Sequence, residues 1–259
     1  MAAAGLISLP PAWTRKIDIA HSASRIKIMA IHFQSQEFIT WVFKRLRPRF
    51  GEKPQRKDRD LTAILIRTVL SQNTNDRNRD RAYLNLKRKF PRWEHLLAAR
   101  QSEIERAIRV GGLSRQKAKR IKDILAGIKK DKGKFDLSFL CRSQVDDARK
   151  YLLGFKGIGE KTAAVVLLFG CGMPLFPVDT HILRVTKRLG VLPPKTTAEK
   201  AHQLLAPLVP GELCYELHLN LIQEGRKICH ARKPECPACP LNTRCLYYRK
   251  VWKINERAA

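Results

Sequence analysis

The chain has 259 residues, 44% of them hydrophobic, and sets 51 Lys and Arg against 23 Asp and Glu for a net charge of +28. A chain of this length buries a core without staples, and its apolar content excludes a disordered polycation. A folded polycation is relieved of self-repulsion by a polyanion, so nucleic acid is the expected partner, ahead of an anionic membrane surface. The best apolar run, Ala163 to Cys171, is about half of a membrane span, so no membrane partner is expected and the chain reads as soluble.

Residues 1–30 are poor in acids, carry scattered Arg, Lys and Ser, and include Pro10 and Pro11. They read as a flexible extension, in preference to a transit peptide or an upstream start ahead of Met29. Beyond them the periodicity is helical. Phe38, Ile39, Val42, Phe43 and Leu46 share one face, as do Leu61, Ile64, Leu65 and Val69, and then Ala118, Ile121, Ile124, Leu125 and Ile128. No stretch alternates with period two. Pro91, Gly111-Gly112, Pro193-Pro194 and Pro210-Gly211 bound these runs, Ser143 with Asp146 resembles a capping box, and the signals together predict about ten helices and an all-α fold. The basic runs Lys44 to Arg59, Arg77 to Lys89, Arg115 to Lys122 and Lys129 to Lys134 are each a solvated face taken singly; their sum argues for the polyanion.

Between residues 152 and 163 Gly157 and Gly159 flank Ile158 just ahead of an apolar helix. Such a turn aims backbone N–H groups at an anion. A lone G-x-G is more often a plain helix start, but a preceding helix and the segment Gly154-Phe155-Lys156 make this a helix-hairpin-helix. Lys161 stands one turn into the buried helix, beside its positive end, where an ammonium is pushed toward a usable amine; the plainer reading is a solvated surface charge. Asp179, in Pro177-Val178-Asp179-Thr180-His181, begins another helix. It reads as an N-cap, and the helix end that it caps keeps a carboxylate ionised to face a developing cation on a sugar.

Four of the seven cysteines, Cys229, Cys236, Cys239 and Cys245, crowd one loop as C-x6-C-x2-C-x5-C. Disulfides across such short loops would be strained and nothing signals secretion, so metal is the better reading. Four thiolates hold either tetrahedral Zn²⁺ or a [4Fe–4S] cube, and the residues alone leave both open. Cys171 and Cys214 read as inert core residues and Cys141 as an isolated one. Within the loop, Arg232 and Lys233 present two cations suited to phosphate.

Leu153 to Ala163, Val178 to His181, Gly225-Arg226 and the cysteine loop resemble, in order and spacing, the endonuclease III family of DNA glycosylase/AP lyases, the iron–sulfur branch of the helix-hairpin-helix superfamily. The likeness runs from about residue 37 to about residue 248. It implies a two-lobed all-α fold: a helical barrel lobe over 56–173 with the hairpin, and a cluster lobe of 31–55 plus 174–259 whose C-terminal loop holds a [4Fe–4S] cluster on Cys229, Cys236, Cys239 and Cys245. Double-stranded DNA with damaged bases or abasic sites would lie in the cleft between them, gripped by a monomer. By the same likeness Lys161 attacks C1′ of the damaged nucleotide, Asp179 stabilises the oxocarbenium-like transition state, and the Schiff base loses its 2′-proton so that the strand breaks 3′ to the lesion. The target base must leave the stack. Gly157, Ile158 and Gly159 would grip the backbone, Gln72 or Asn73 would plug the vacated space according to register, Leu113 would be the wedge unless it merely caps a helix, and Arg232 with Lys233 would touch phosphates.

The implied substrates are oxidised pyrimidines, and the implied place is the cytoplasm on the nucleoid, or an organelle or nucleus in a eukaryote. Two departures touch the lesion-sensing parts: Ser114-Arg115-Gln116-Lys117 stands where the family has Tyr-Asn-Ser-Lys, and Asn73 replaces a glutamine. They leave uracil or thymine mismatches and 8-oxoguanine as alternative substrates. Lys161 argues against the adenine-mismatch branch, which lacks that lysine. A non-catalytic helix-hairpin-helix DNA-binding protein would explain the charge and the glycines, but not the Lys161 and Asp179 pair.

Overall fold

The computed structural model describes residues 34–55 and 60–252, so the reading of 1–30 as an extension lies outside the described residues. Among them the chain forms eleven α-helices: α1 (Gln36–Phe50), α2 (Leu61–Ser71), α3 (Asp76–Lys89), α4 (Trp93–Ala98), α5 (Gln101–Ile108), α6 (Ser114–Lys132), α7 (Val145–Leu153), α8 (Glu160–Val166), α9 (Thr180–Leu189), α10 (Ala198–Leu205) and α11 (Cys214–Lys227). No strand occurs among the described residues. The all-α expectation holds because period-3.6 apolar faces and capping residues agree. The Ser35 hydroxyl accepts from the Phe38 N–H at 3.1 Å, Asp60 from Ala63 at 2.8 Å, Asn75 from Asn78 at 2.9 Å and Thr197 from Lys200 at 3.2 Å. Such a cap contributes about 1 kcal/mol. The capping box expected at Ser143 does not form. Helix α7 starts at Val145 with Gln144 as its N-cap, and the Ser143 hydroxyl donates back to the Phe139 carbonyl at 3.1 Å.

These helices bury two apolar cores. The first takes Leu61, Leu65, Val69 and Leu70 of α2, Ile104 and Ile108 of α5, Ile121, Ile124 and Leu125 of α6, and Ala163 and Val166 of α8. The second takes Phe38, Ile39, Val42 and Leu46 of α1, Ile182 and Val185 of α9, Leu217 and Leu221 of α11, and Leu241 and Cys245 of the cysteine loop. At the end of α8 the helix widens into a π turn over Leu167–Cys171, and Leu168 on that turn joins the second core. The crossing is bridged elsewhere by an ion pair: Arg226 at the end of α11 holds Asp76 at the start of α3, at 2.6 Å.

One cysteine expectation is corrected. Cys171 is not an inert core residue: it is disulfide-bonded to Cys141, with their Cα atoms 4.9 Å apart. The π turn carries Cys171 back toward the 3-10 turn over Ser138–Arg142 where Cys141 sits. The resulting covalent loop encloses α7, the hairpin and α8. Cys214 is buried as expected.

Candidate functional site

The hairpin joins α7 to α8 through Gly154-Phe155-Lys156-Gly157-Ile158-Gly159. Arg149 on α7 grips the Glu160 carboxylate with two hydrogen bonds of 2.8 Å, latching the two helices across the turn. That guanidinium also holds the Glu160 carboxyl below its ordinary range. Gly157 sits at φ +85°, a backbone that favours glycine, and the Arg120 guanidinium lies over it, 2.2 Å from where a Cβ would stand. The Ile158 side chain is 5% exposed and belongs to the first core. Its amide donates to the Phe155 carbonyl at 3.0 Å. Ile158 is thus the anchor of the turn, and the exposed Gly157 and Gly159 form its outer surface.

Lys161 is exposed on the first turn of α8, while Thr162, Ala163, Ala164 and Val166 are buried. The sequence set this lysine on a buried helix; the helix is buried on one face only, and the amine stands outside it. Asp179 caps α9, with Oδ1 accepting from the Ile182 N–H at 2.8 Å. Both groups act on one imidazole. His218 on α11 is 3% exposed, packs edge-on to Phe169 and Phe176, and shares a 2.9 Å hydrogen bond between Nδ1 and the Pro177 carbonyl. Burial pushes its pKa down to about 4; the Asp179 charge works against that shift and the Lys161 charge with it. The charges of Lys161 and Asp179, 18 residues apart in sequence, thus both bear on this buried ring, with opposite signs. Sequence reasoning missed His218, since a lone histidine on an apolar face carries no motif.

Gln72 and Asn73 follow α2, and Leu113 precedes α6. Arg120 Nη1 donates to Gln72 Oε1, and Gln72 Nε2 reaches the Gly157 carbonyl at 3.3 Å, so Gln72 touches the hairpin. Asn73 and Leu113 are exposed, and both are left-handed, at φ 52° and 48°. Among the described residues the third non-glycine residue with positive φ is Lys233, at 48°. All three belong to the residues that the sequence assigns to DNA contact. Side chains other than glycine take this conformation at a cost of about 1–2 kcal/mol each, and such strain gathers at functional surfaces.

The cysteine loop is tied to α9 by two arginines. Arg184 donates to the Cys229 carbonyl at 2.9 Å and the Gly225 carbonyl at 2.7 Å; Arg188 donates to Cys229 Sγ at 3.3 Å and to the His230 carbonyl at 2.6 Å. Cys229, Cys236, Cys239 and Cys245 line one cavity with Arg188, Ile228, Tyr247 and Tyr248. The Leu241 N–H donates to Cys239 Sγ at 3.4 Å, and the Cys239 thiol donates to the Glu224 carboxylate at 3.1 Å. Burial pushes the Cys245 thiol up, against the backbones of Tyr247 and Tyr248, and burial with the neighbouring sulfurs pushes Cys236 up to about 11. Among the described residues no three His, Cys, Asp or Glu groups close on the spacing of a single ion. Four thiols around one cavity are a donor set that suits either a [4Fe–4S] cluster or one tetrahedral zinc. Arg232 and Lys233 are exposed on the same loop.

Residues 66–210 match the family described as HhH-GPD superfamily base excision DNA repair protein. The endonuclease III of Thermotoga maritima is 33% identical over 201 residues, covering 78% of this chain and 90% of that protein. The thymine-DNA glycosylase of Aeropyrum pernix is 31% identical over 77% of this chain and 89% of its own length. A relative from Arabidopsis thaliana is longer, and the match spans 56% of it. Among solved structures, a non-covalent endonuclease III–DNA complex superposes with a TM-score of 0.72 at 29% identity, over 85% of this chain and 99% of that one. With its hairpin and all-α architecture, the chain belongs to the HhH-GPD superfamily of base excision DNA repair proteins, within the endonuclease III family of DNA glycosylases.

Proposed function

We propose that the chain is a bifunctional DNA glycosylase/AP lyase that removes oxidised pyrimidines from duplex DNA and then cleaves the strand. The observation that carries this reading is a helix-hairpin-helix with Lys161 exposed on the first turn of its second helix, followed by Asp179 as the cap of α9. The deprotonated Lys161 Nζ attacks C1′, the C1′–N bond breaks, and the base leaves with its electron pair and takes up a proton. Asp179 stands against the sugar cation that develops and accepts the ammonium proton from Nζ. The C1′–O4′ bond then breaks, with a proton going to O4′, and leaves a Schiff base that acidifies the 2′-hydrogen; its removal expels the 3′-phosphate, and water hydrolyses the imine to free Lys161 and an unsaturated aldehyde.

DNA would run along the hairpin, with Gly157 and Gly159 against phosphates, Gln72, Asn73 and Leu113 toward the vacated space, and Arg232 with Lys233 on the backbone beyond. A cleft that grips one duplex needs no symmetry mate, so the working unit is a monomer. The division of labour follows the two cores, a barrel lobe over 56–173 and a cluster lobe of 31–55 plus 174–259. Cys229, Cys236, Cys239 and Cys245 would hold a [4Fe–4S] cluster. That cluster would supply a structural cross-link, keeping the loop of Arg232 and Lys233 in shape.

Borohydride trapping tests the reaction. A covalent adduct with thymine-glycol or abasic duplex is expected, and Lys161→Ala abolishes it with a loss of about 10⁴-fold or more in strand cleavage. Folded wild-type protein without an adduct would reduce the chain to a DNA-binding protein. Purified protein is expected to be brown with bound iron and sulfide; a colourless zinc protein overturns the cluster. A panel of single-lesion duplexes decides the substrate. The likeness to a thymine-DNA glycosylase makes a guanine–thymine mismatch the second reading, favoured if that duplex is processed faster than thymine glycol.

A further inference from the structure

Lys117 is among the largest fully buried side chains, 2% exposed, in the first core. An ammonium in such a place is costly unless every donor has a use, and a methionine would fill the volume without that cost. Here two uses are visible. Nζ donates to the Leu70 carbonyl at 2.8 Å and to the Gly111 carbonyl at 2.8 Å. Leu70 lies in the last turn of α2, where carbonyls have no partner within the helix and a cation is favoured. Gly111 closes the turn before α6.

The two carbonyls belong to different segments, the end of α2 and the turn before α6, and each stands two or three residues ahead of a left-handed residue. Asn73 follows Leu70 and Leu113 follows Gly111, both left-handed and exposed. Strained conformations persist only where their surroundings over-determine them. One turn along the same helix, Arg120 holds Gln72 and presses on Gly157. Burial lowers the Lys117 pKa, and the Arg120 charge adds to that.

We infer that Lys117 is a positioning residue for base extrusion, fixing the loops of Asn73 and Leu113 relative to each other so that both enter the space left by the flipped nucleotide. This rests on the assignment of Asn73 and Leu113 to DNA contact and adds the group that sets them. Lys117 touches no substrate. It acts on the extrusion step alone, because an abasic site in a single strand has no opposing base and no stack to fill.

The test compares two substrates, a thymine-glycol duplex and a single-stranded oligonucleotide with a preformed abasic site. Lys117→Met is expected to lower kcat for base excision about a hundredfold, the scale of an ångström-sized misplacement, with KM little changed. β-Elimination on the single strand loses far less, and Lys117→Arg recovers part of the excision. Lys117→Gln is read by the same ratio should the methionine variant not fold. A cycle with Leu113→Gly adds a second readout: if Lys117 works through the Leu113 loop, the double variant excises no more slowly than the slower single one, whereas additive losses would mean independent roles. Equal losses on both substrates in folded protein, or unchanged excision, overturn the inference. Failure of the Lys161→Ala trapping control would overturn the enzymatic reading instead, whatever Lys117 does.

Discussion

Lys161 and Asp179 stand on helices from different cores, and the bonds that fix them differ in kind. Helix α8, with Lys161, sits inside the Cys141–Cys171 loop and is latched to α7 by Arg149 and Glu160. Its geometry is closed by a covalent bond and by contacts near in sequence. Helix α9, with Asp179, is held by Arg184 and Arg188, which reach the carbonyls and one sulfur of the cysteine loop more than 40 residues away. The wall that carries Lys161 stands on its own, while the wall that carries Asp179 depends on how the cysteine loop is organised. Damage to that loop is expected to reach Asp179 before it reaches Lys161.

Of the changes that test this difference between the two walls, the largest effect is expected at Asp179. Asp179→Asn keeps the helix cap, because asparagine caps as well as aspartate, and removes only the charge. Turnover is expected to fall about 10²–10³-fold while DNA affinity in a gel-shift titration stays put. Equal losses in both would make Asp179 a folding residue and erase the distinction between the walls. Opening the other wall is next. Cys141→Ala with Cys171→Ala frees a loop whose ends are 30 residues apart in sequence. Stability by urea denaturation is expected to drop by about 3–4 kcal/mol on loop entropy. Unchanged stability would show that local contacts alone suffice there.

A third effect is smaller and depends on pH. His218 keeps a pKa of about 4 in the folded chain against 6.5 unfolded, so the unfolded state takes up the proton first. Stability is then complete above pH 6.5 and falls as pH drops toward about 4, by up to about 1.4 kcal/mol per pH unit for this group. Half-buried His181 and His202 are shifted in the same direction and add to the slope. His218→Gln should flatten thermal denaturation between these limits by one proton's share, and an unchanged slope would remove His218 from the account. The smallest effect belongs to the cysteine loop's outer face. Replacing Arg232 and Lys233 with Ala is expected to weaken binding to all duplex sequences alike and to lessen the salt slope by about 1–2. A slope equal to wild type would mean that the loop does not touch phosphate.

Much of this site was legible in the sequence. Period and caps gave the helices, and the glycines of the hairpin and the Asp179 cap stand where local chemistry put them. What escaped were properties that arise only when distant segments meet. Cys171 lies in an apolar run and looks like core until the π turn brings it beside Cys141. Ser143 offered a cap, but its hydroxyl found the Phe139 carbonyl first. Lys117 looked like one more cation in a basic run; only the folded chain shows Leu70 and Gly111 converging on it. The left-handed backbone at Leu113 has no signature in side-chain type; at Asn73 the asparagine, which tolerates that region better than most residues, was the available signal.

Gly225 carries one more consequence. A methyl group there would sit 2.7 Å from His181 Cβ and 3.3 Å from an Arg184 nitrogen, so α11 and α9 touch with no slack between them. Even the mildest substitution at 225 would have to pry the helices apart. The displaced element would be the one that begins with Asp179, so this seam between two helices, away from the reacting atoms, sets a mechanical limit on how far the chain can vary and still excise a base.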